Sequence, residues 1–343
     1  RRVVIAPAMV VATTLLLAAA PFILLVAAFG VRYSSRRWRL LRLAWFFIVY
    51  IVRESVGLCA LAFLWVVSGF GWKLSSERFQ EAHYSLMGWY LRGLINSASR
   101  VLGLKMVDET RGASLNDVDG PILLFSRHAG AGDSFILVHV LLNQLDRRPR
   151  IVLKDLLQFD PCIDVVLNRI PTRFISPNPP QGSGVTDSIR ELAGGLDDKG
   201  ALVLFPEGGN FTERRRTRAI EKLSAAGLDA SAEKARGLTH LLPPRPGGAF
   251  AAIDAAPDAD VVFVAHTGLE QLSSLQDLWK GLPMDRDVRL HWWREPNKNV
   301  PTDPGERITW LYEWWERIDD WIDERKDPEL PTYPKLIPAQ PEE

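Results

Sequence analysis

From Val3 to Val31 the chain carries no charged residue. A helix of that length spans the roughly 30 Å hydrocarbon core of a bilayer, and in water it would have to be covered on every side. Two plans remain: a membrane-anchored protein, or a soluble one built around a pair of buried core helices. The uncharged length favours the anchor. A cleaved signal peptide has a shorter apolar core, and no small-residue cleavage signal leads into a polar start here. The next segment, VRYSSRRWRLLR, holds Arg32, Arg36, Arg37, Arg39 and Arg42, so the positive-inside tendency assigns it to the cytoplasm.

A second apolar run, Leu43 to Trp72, is interrupted by Arg53-Glu54, a pair that is costly at mid-bilayer. The cheaper arrangement bends the run at that pair into a shallow hairpin in the cytoplasmic leaflet. Trp45, Phe46, Phe47, Tyr50, Trp65 and Trp72 then lie at headgroup depth and both ends stay inside. Residues 1–72 are accordingly read as a membrane anchor, 73–330 as a globular domain facing the cytoplasm, and 331–343 as an irregular, proline-rich tail.

Past Lys73, short apolar runs recur at Pro121–Phe125, Arg150–Leu153, Thr172–Ser176, Gly200–Phe205, Val261–Ala265 and Val288–Trp292, most of them separated by helix-compatible stretches. That alternation predicts an α/β fold with a mixed, mostly parallel sheet covered by helices. Between Asp303 and Lys326, Ile308, Leu311, Trp314, Trp315, Ile318, Trp321 and Ile322 form one stripe of a C-terminal helix, which predicts core packing. The 41 basic and 41 acidic residues cancel, so no nucleic-acid partner is implied. Cys59 and Cys162 are far apart and signal neither a disulfide framework nor a zinc site; no metal or cofactor is called for.

The strand at Pro121–Phe125 runs into SRHAGAGDSF, which has three readings. A dinucleotide loop would need a third glycine where Phe135 stands. A plain strand-to-helix turn would use Gly130 and Gly132 for backbone freedom, with Asp133 as helix cap and His128 merely packed. In a catalytic turn, His128 is a general base oriented by Asp133. The second and third stay open on this segment alone. A second strand leads into LVLFPEGGNFTERRR, with Glu207 just past its end and Gly208 and Gly209 allowing close approach of the backbone to a ligand. Ligands of open α/β sheets collect outside the carboxyl ends of strands, so both loops can face one crevice. Alone, Glu207 would read as a solvated loop acid or a helix-start charge.

H-x-x-x-x-D after one strand and F-P-E-G after another, in this order, resemble the glycerolipid acyltransferase family that includes the 1-acylglycerol-3-phosphate acyltransferases. The likeness extends through KARGLTHLLPPRPGGAFAAI, similar to the L-L-P-R-x-x-G-F-like segment of the family's longer branch, to VVFVAHTG at a late strand. The resemblance implies that His128 deprotonates a lysophospholipid hydroxyl that attacks an acyl thioester, and that Asp133 holds the imidazole. The donor would be acyl-CoA or acyl-carrier protein, and the implied product is phosphatidic acid from 1-acylglycerol 3-phosphate. It also places Glu207 and Gly208 in the acceptor site.

Three departures bear on the acceptor. Asn210 stands where the family has the arginine of E-G-T-R, Arg173 in RIPTRFISP is slightly early for a second arginine, and Phe263 replaces a proline. Arg173 and the triplet Arg214, Arg215 and Arg216 are therefore expected to share the phosphate-binding work, the triplet having a solvated basic face as its other reading. Other acceptors fit the same reaction: glycerol 3-phosphate, a lysophospholipid with a larger headgroup, or a glycolipid. From another class comes a non-catalytic lipid-binding scaffold.

Overall fold

The computed structural model describes residues 2–31, 38–110, 118–130, 132–175, 184–270, 279, 282, 284 and 287–326. Arg32, Arg36, Arg37, Ser176 and the tail at 331–343 lie outside them. The chain forms two compact units. One comprises Arg1–Lys105, Ser134–Val185 and Ser274–Asp287; the other comprises Met106–Asp133, Thr186–Ser273 and Val288–Glu343. Among the described residues, seven strands make a mixed, mostly parallel sheet.

The first unit opens with α1 (Arg2–Val31) and α2 (Arg39–Val67), which pack on each other, Thr13 bonding Ser55 at 2.5 Å. Both are long and apolar enough to cross a membrane. The bend expected at Arg53-Glu54 is absent, because α2 runs unbroken through the pair. The reason is that both side chains find partners. Arg53 stacks on Trp89 and donates to the Trp89 carbonyl, while Glu54, fully buried, accepts from Tyr90 Oη (2.9 Å) and Cys162 N–H (2.7 Å). Charges met in this way need not break a helix. Tyr50 also turns inward, donating to Asp160 at 2.5 Å rather than standing at headgroup depth. The partners sit on α3 (Glu77–Ser97) and at the start of α5 (Pro161–Leu167). At the two ends of α2, Arg39 bonds Leu282 O, Arg42 bonds Val101 O at 2.5 Å, and Leu61 O accepts from Arg169 at 2.7 Å. The helix is thus fastened along its length to this unit. Its other face leaves Trp45, Phe47, Phe63 and Trp65 exposed. The unit also holds most of α4 (Asp133–Asn143) and the parallel pair β3 (Arg148–Lys154) and β4 (Thr172–Ile175).

In the second unit the strand order is β1-β7-β6-β2-β5, with β1 at Lys105–Asp108, β2 at Ile122–Ser126, β5 at Gly200–Leu204, β6 at Asp260–Thr267 and β7 at Asp287–Glu295. β2 pairs in parallel with β5 and β6, and β7 is antiparallel to β6. Every residue of β2 and β5 is buried, as the continuous apolar runs require of central parallel strands. Helices α6 (Val185–Gly194), α7 (Glu213–Ala225), α8 (Asp229–Gly237), α9 (Pro246–Ala255) and α10 (Pro304–Arg325) complete it. Asp303 caps α10 by accepting from Gly305 and Glu306 N–H, ahead of Pro304 at the first helical position. The tryptophan stripe of α10 meets Phe263 of β6: Phe263 stacks on Trp314 at 4.4 Å and meets Trp310 and Phe125 edge-on. Packing of this aromatic cluster accounts for phenylalanine at a position where the resemblance expected proline.

Candidate active site

Register brings the two motif loops together. Phe125 of β2 lies beside Leu204 of β5, so the chain leaves the sheet at neighbouring points to form the His128 and Glu207 loops. On the other flank Ser126 pairs with Val264, which sets His266, two residues on, level with His128. All three groups stand at the carboxyl ends of adjacent parallel strands, where an open sheet presents its crevice.

His128 Nδ1 lies 3.0 Å from Asp133 Oδ2. The turn between them is folded by Asp133 itself, whose carboxylate reaches backward to accept from Ala129 N–H (2.6 Å) and Gly130 N–H (2.9 and 3.1 Å). The carboxylate thus meets both the turn and the imidazole as α4 begins, an arrangement that serves the turn and the general-base reading alike. Burial alone would raise the Asp133 carboxyl, but His266, His128 and the Gly130 N–H overcome it and hold the group below the usual carboxylate range. An ionised Asp133 requires the proton of a neutral His128 on Nδ1, which leaves the Nε2 lone pair available. Nε2 makes no hydrogen bond among the described residues. The ring leans on Phe205, with centroids 4.6 Å apart, and its side chain is 15% exposed, so a substrate can reach it.

Behind this pair stands a buried polar layer. His266 Nε2 is 3.8 Å from Asp133 Oδ2 and 3.3 Å from the Arg127 carbonyl oxygen. Burial lowers the His266 imidazole below its ordinary value, more than Asp133 raises it. Arg127, 2% exposed, donates to His266 O (2.8 Å) and pairs with Glu270 (2.5 Å). The sequence reading missed Arg127, His266 and Glu270. The available signal was polar residues at the ends of strands whose other positions are apolar.

Glu207 sits deeper than expected. It is 1% exposed; Oε1 accepts from His128 N–H (2.7 Å) and Oε2 from Leu242 N–H (2.9 Å). Burial, opposed by those bonds and by Arg127, pushes its carboxyl up to about 8. Both oxygens are spent on backbone, so Glu207 braces the His128 loop instead of meeting an acceptor. Gly208 is exposed with φ of +69°, a conformation that favours glycine, and stays available to a ligand.

The expected arginines divide. Arg216 is fully buried and donates to Arg236 O (3.1 Å), tying α7 to α8, so it is a core residue and not a phosphate ligand. Arg215 donates to Asn210 O (3.0 Å), at the glycine loop. Arg214 lines a shallow surface groove with Glu213, Thr217, Arg218 and Glu221, as its solvated-face reading had it. Arg173 lies exposed on β4 of the first unit, apart in sequence and unit from the His128 loop.

Residues 101–267 match the family model described as Acyltransferase, and this segment holds the whole His128–Asp133–Glu207 constellation. An uncharacterized acyltransferase of Schizosaccharomyces pombe is 26% identical over 137 residues, which cover 37% of this chain and 37% of that protein. The crystal structure of the 1-acyl-sn-glycerophosphate (LPA) acyltransferase, PlsC, from Thermotoga maritima aligns with 80% of this chain and 98% of its own, at 13% identity and a TM-score of 0.46. Within the matched segment, Ser126 to Asp133 and Phe205 to Asn210 carry the groups at the strand ends.

Proposed function

We propose that the chain is a membrane-anchored glycerolipid acyltransferase that moves a fatty acyl group from a thioester donor, acyl-CoA or acyl-carrier protein, to the free hydroxyl of a lysophospholipid. The acceptor that fits the motif resemblance best is 1-acylglycerol 3-phosphate, giving phosphatidic acid. The observation that carries this reading is the His128 Nδ1–Asp133 Oδ2 contact of 3.0 Å, with Nε2 left to the substrate side.

In the proposed reaction Nε2 takes the acceptor hydroxyl proton as that oxygen attacks the thioester carbonyl. The tetrahedral intermediate collapses with cleavage of the C–S bond, and the departing sulfur receives the proton from the imidazolium. An ester and a free thiol result, with no covalent enzyme intermediate. Asp133 stabilises the transient imidazolium and keeps the productive tautomer.

For the membrane, α1 and α2, which pack on each other through Thr13 and Ser55, form the anchor together, and Leu15, Phe22, Leu25 and Phe29 of α1 are exposed and apolar. The pair lies at the cytoplasmic interface, because α2 is fastened along one face to its unit, while Trp45, Phe47 and Phe63 on its other face meet the lipid. The test is transfer of labelled acyl groups by purified wild-type protein and by His128→Ala, with lysophosphatidate and acyl-CoA. Loss of a general base alone costs about 10²–10⁴-fold. Near-wild-type turnover of a folded His128→Ala protein would refute the assignment.

A further inference from the structure

The loop after β5 is clamped to the histidine at both ends: Glu207 accepts the His128 N–H, and Phe211 N–H donates to His128 O at 2.9 Å. Gly208 lies between those clamps and is exposed. Directly over it lies Arg245, from the PPRPGG segment ahead of α9. A Cβ placed on Gly208 would stand 2.8 Å from Arg245 Cζ and 2.9 Å from Nη1, so the guanidinium rests on the glycine backbone. The backbone of Arg245 is fixed to the same loop by its N–H bond to Pro206 O, 2.9 Å. The Arg245 side chain is exposed, and its guanidinium has no hydrogen bond or ion pair among the described residues. Its backbone is therefore held at the loop while its side-chain donors are unspent.

We propose that Arg245 is a phosphate-binding residue of this site, supplying across the chain the charge that Asn210 does not carry. The ligand is the phosphate group of a substrate, a monoester or diester, held by the planar fork of the guanidinium beside the open face of Gly208. Two sources share that chemistry: the acceptor's headgroup and the phosphates of the donor's CoA or phosphopantetheine arm. The inference rests on the acyl-transfer reading of the His128 loop for its substrates, though not for the anion itself.

The experiment measures equilibrium binding, without turnover, by the full chain in detergent micelles. The probes are two matched pairs: lysophosphatidate against monoacylglycerol, and desulfo-CoA against N-acetylcysteamine. Arg245→Ala should weaken at least one phosphate-bearing probe by about 10–100-fold, the effect of losing a charged hydrogen-bonding partner, and leave its neutral match unchanged. Arg245→Gln keeps most of the stem and should behave as the alanine variant does; it serves if Arg245→Ala fails to fold. A selective loss of lysophosphatidate assigns the anion to the acceptor, and a selective loss of desulfo-CoA assigns it to the donor. Equal weakening of charged and neutral probes, or no weakening, overturns the proposal. Phosphate-selective binding by a wild-type protein that transfers no acyl group would refute the reaction and sustain the anion site.

Discussion

Glu207 Oε1 accepts the backbone N–H of His128 at 2.7 Å, so the acid of one motif loop holds the histidine of the other in place. Glu207 Oε2 takes Leu242 N–H at 2.9 Å. A carboxyl group, charged or protonated, keeps a lone pair for each of these donors; an amide offers only its oxygen and turns an NH₂ toward the other N–H. Glu207→Gln should therefore lose about 1–3 kcal/mol of stability, the cost of one orphaned buried donor, and most of its activity. Because burial raises the Glu207 pKa to about 8 from an ordinary 4.5, its contribution is full below about pH 4.5 and is lost as pH rises toward 8. Gln does not titrate. Thermal unfolding at pH 5 and pH 8 should show the wild-type advantage shrinking at the higher pH; an advantage that grows would contradict this geometry.

Asp133 has the opposite sign. Its carboxyl is held below the usual range in the folded protein, so its contribution is present above the unfolded value of about 4 and lost as pH falls through the folded one. Asp133→Asn removes that contribution and also presents an NH₂ group toward donors on His128, Ala129 or Gly130. The stability gap between wild type and variant, read from denaturant unfolding, should be full at pH 7 and narrow below about pH 4. Turnover should fall nearly as far as in His128→Ala, because the imidazole loses both its tautomer and its anchor. A gap that is constant with pH would mean that the carboxylate charge does not matter to the fold.

The sheet was legible because central parallel strands are buried on both faces and read as unbroken apolar runs, as β2 and β5 do. The tryptophan stripe of α10 was legible for the same reason of periodicity. What sequence could not disclose were partnerships across the chain. The straightness of α2 depends on Glu54 meeting Tyr90 and Cys162, 36 and 108 residues away. The brace on Glu207 depends on two backbone donors, and a backbone N–H has no sequence signature. Arg127 carries no sequence signal for its buried partners, Glu270 and the His266 carbonyl, which lie some 140 positions along the chain. Arg245 was passed over because its relevance lies in which glycine it covers.

Arg216 and Arg214 stand two residues apart on α7 and should behave differently. Arg216→Ala removes a fully buried guanidinium that bonds Arg236 O, and opens a cavity between α7 and α8. It should lower the unfolding temperature with no selective change in KM for phosphate-bearing over neutral acceptors. Arg214→Ala, at an exposed position, should leave stability within about 0.5 kcal/mol of wild type. A selective KM effect in Arg216→Ala would restore it to the phosphate site.

The bonds along α2 bear on the proposed topology. Arg39 and Arg42 at its start, Glu54 at its centre and Leu61 near its end are all tied to the same unit, by Leu282, Val101, Cys162 and Arg169. A helix that crossed the bilayer would have to carry those partners into hydrocarbon with it, where their own charges and backbone would lose water. With α2 at the interface, as proposed, Ser76, exposed just beyond it, should stay on the cytoplasmic side with the arginine-rich segment. The measurement is labelling of Ser76→Cys by a membrane-impermeant maleimide, in a background where the exposed Cys59 is replaced by serine and the buried Cys162 is kept. Intact cells should give no label and permeabilised cells full label. Ready labelling of intact cells would mean that α2 crosses after all, and would put the His128 loop on the outer side, away from the cytoplasmic supply of acyl thioesters.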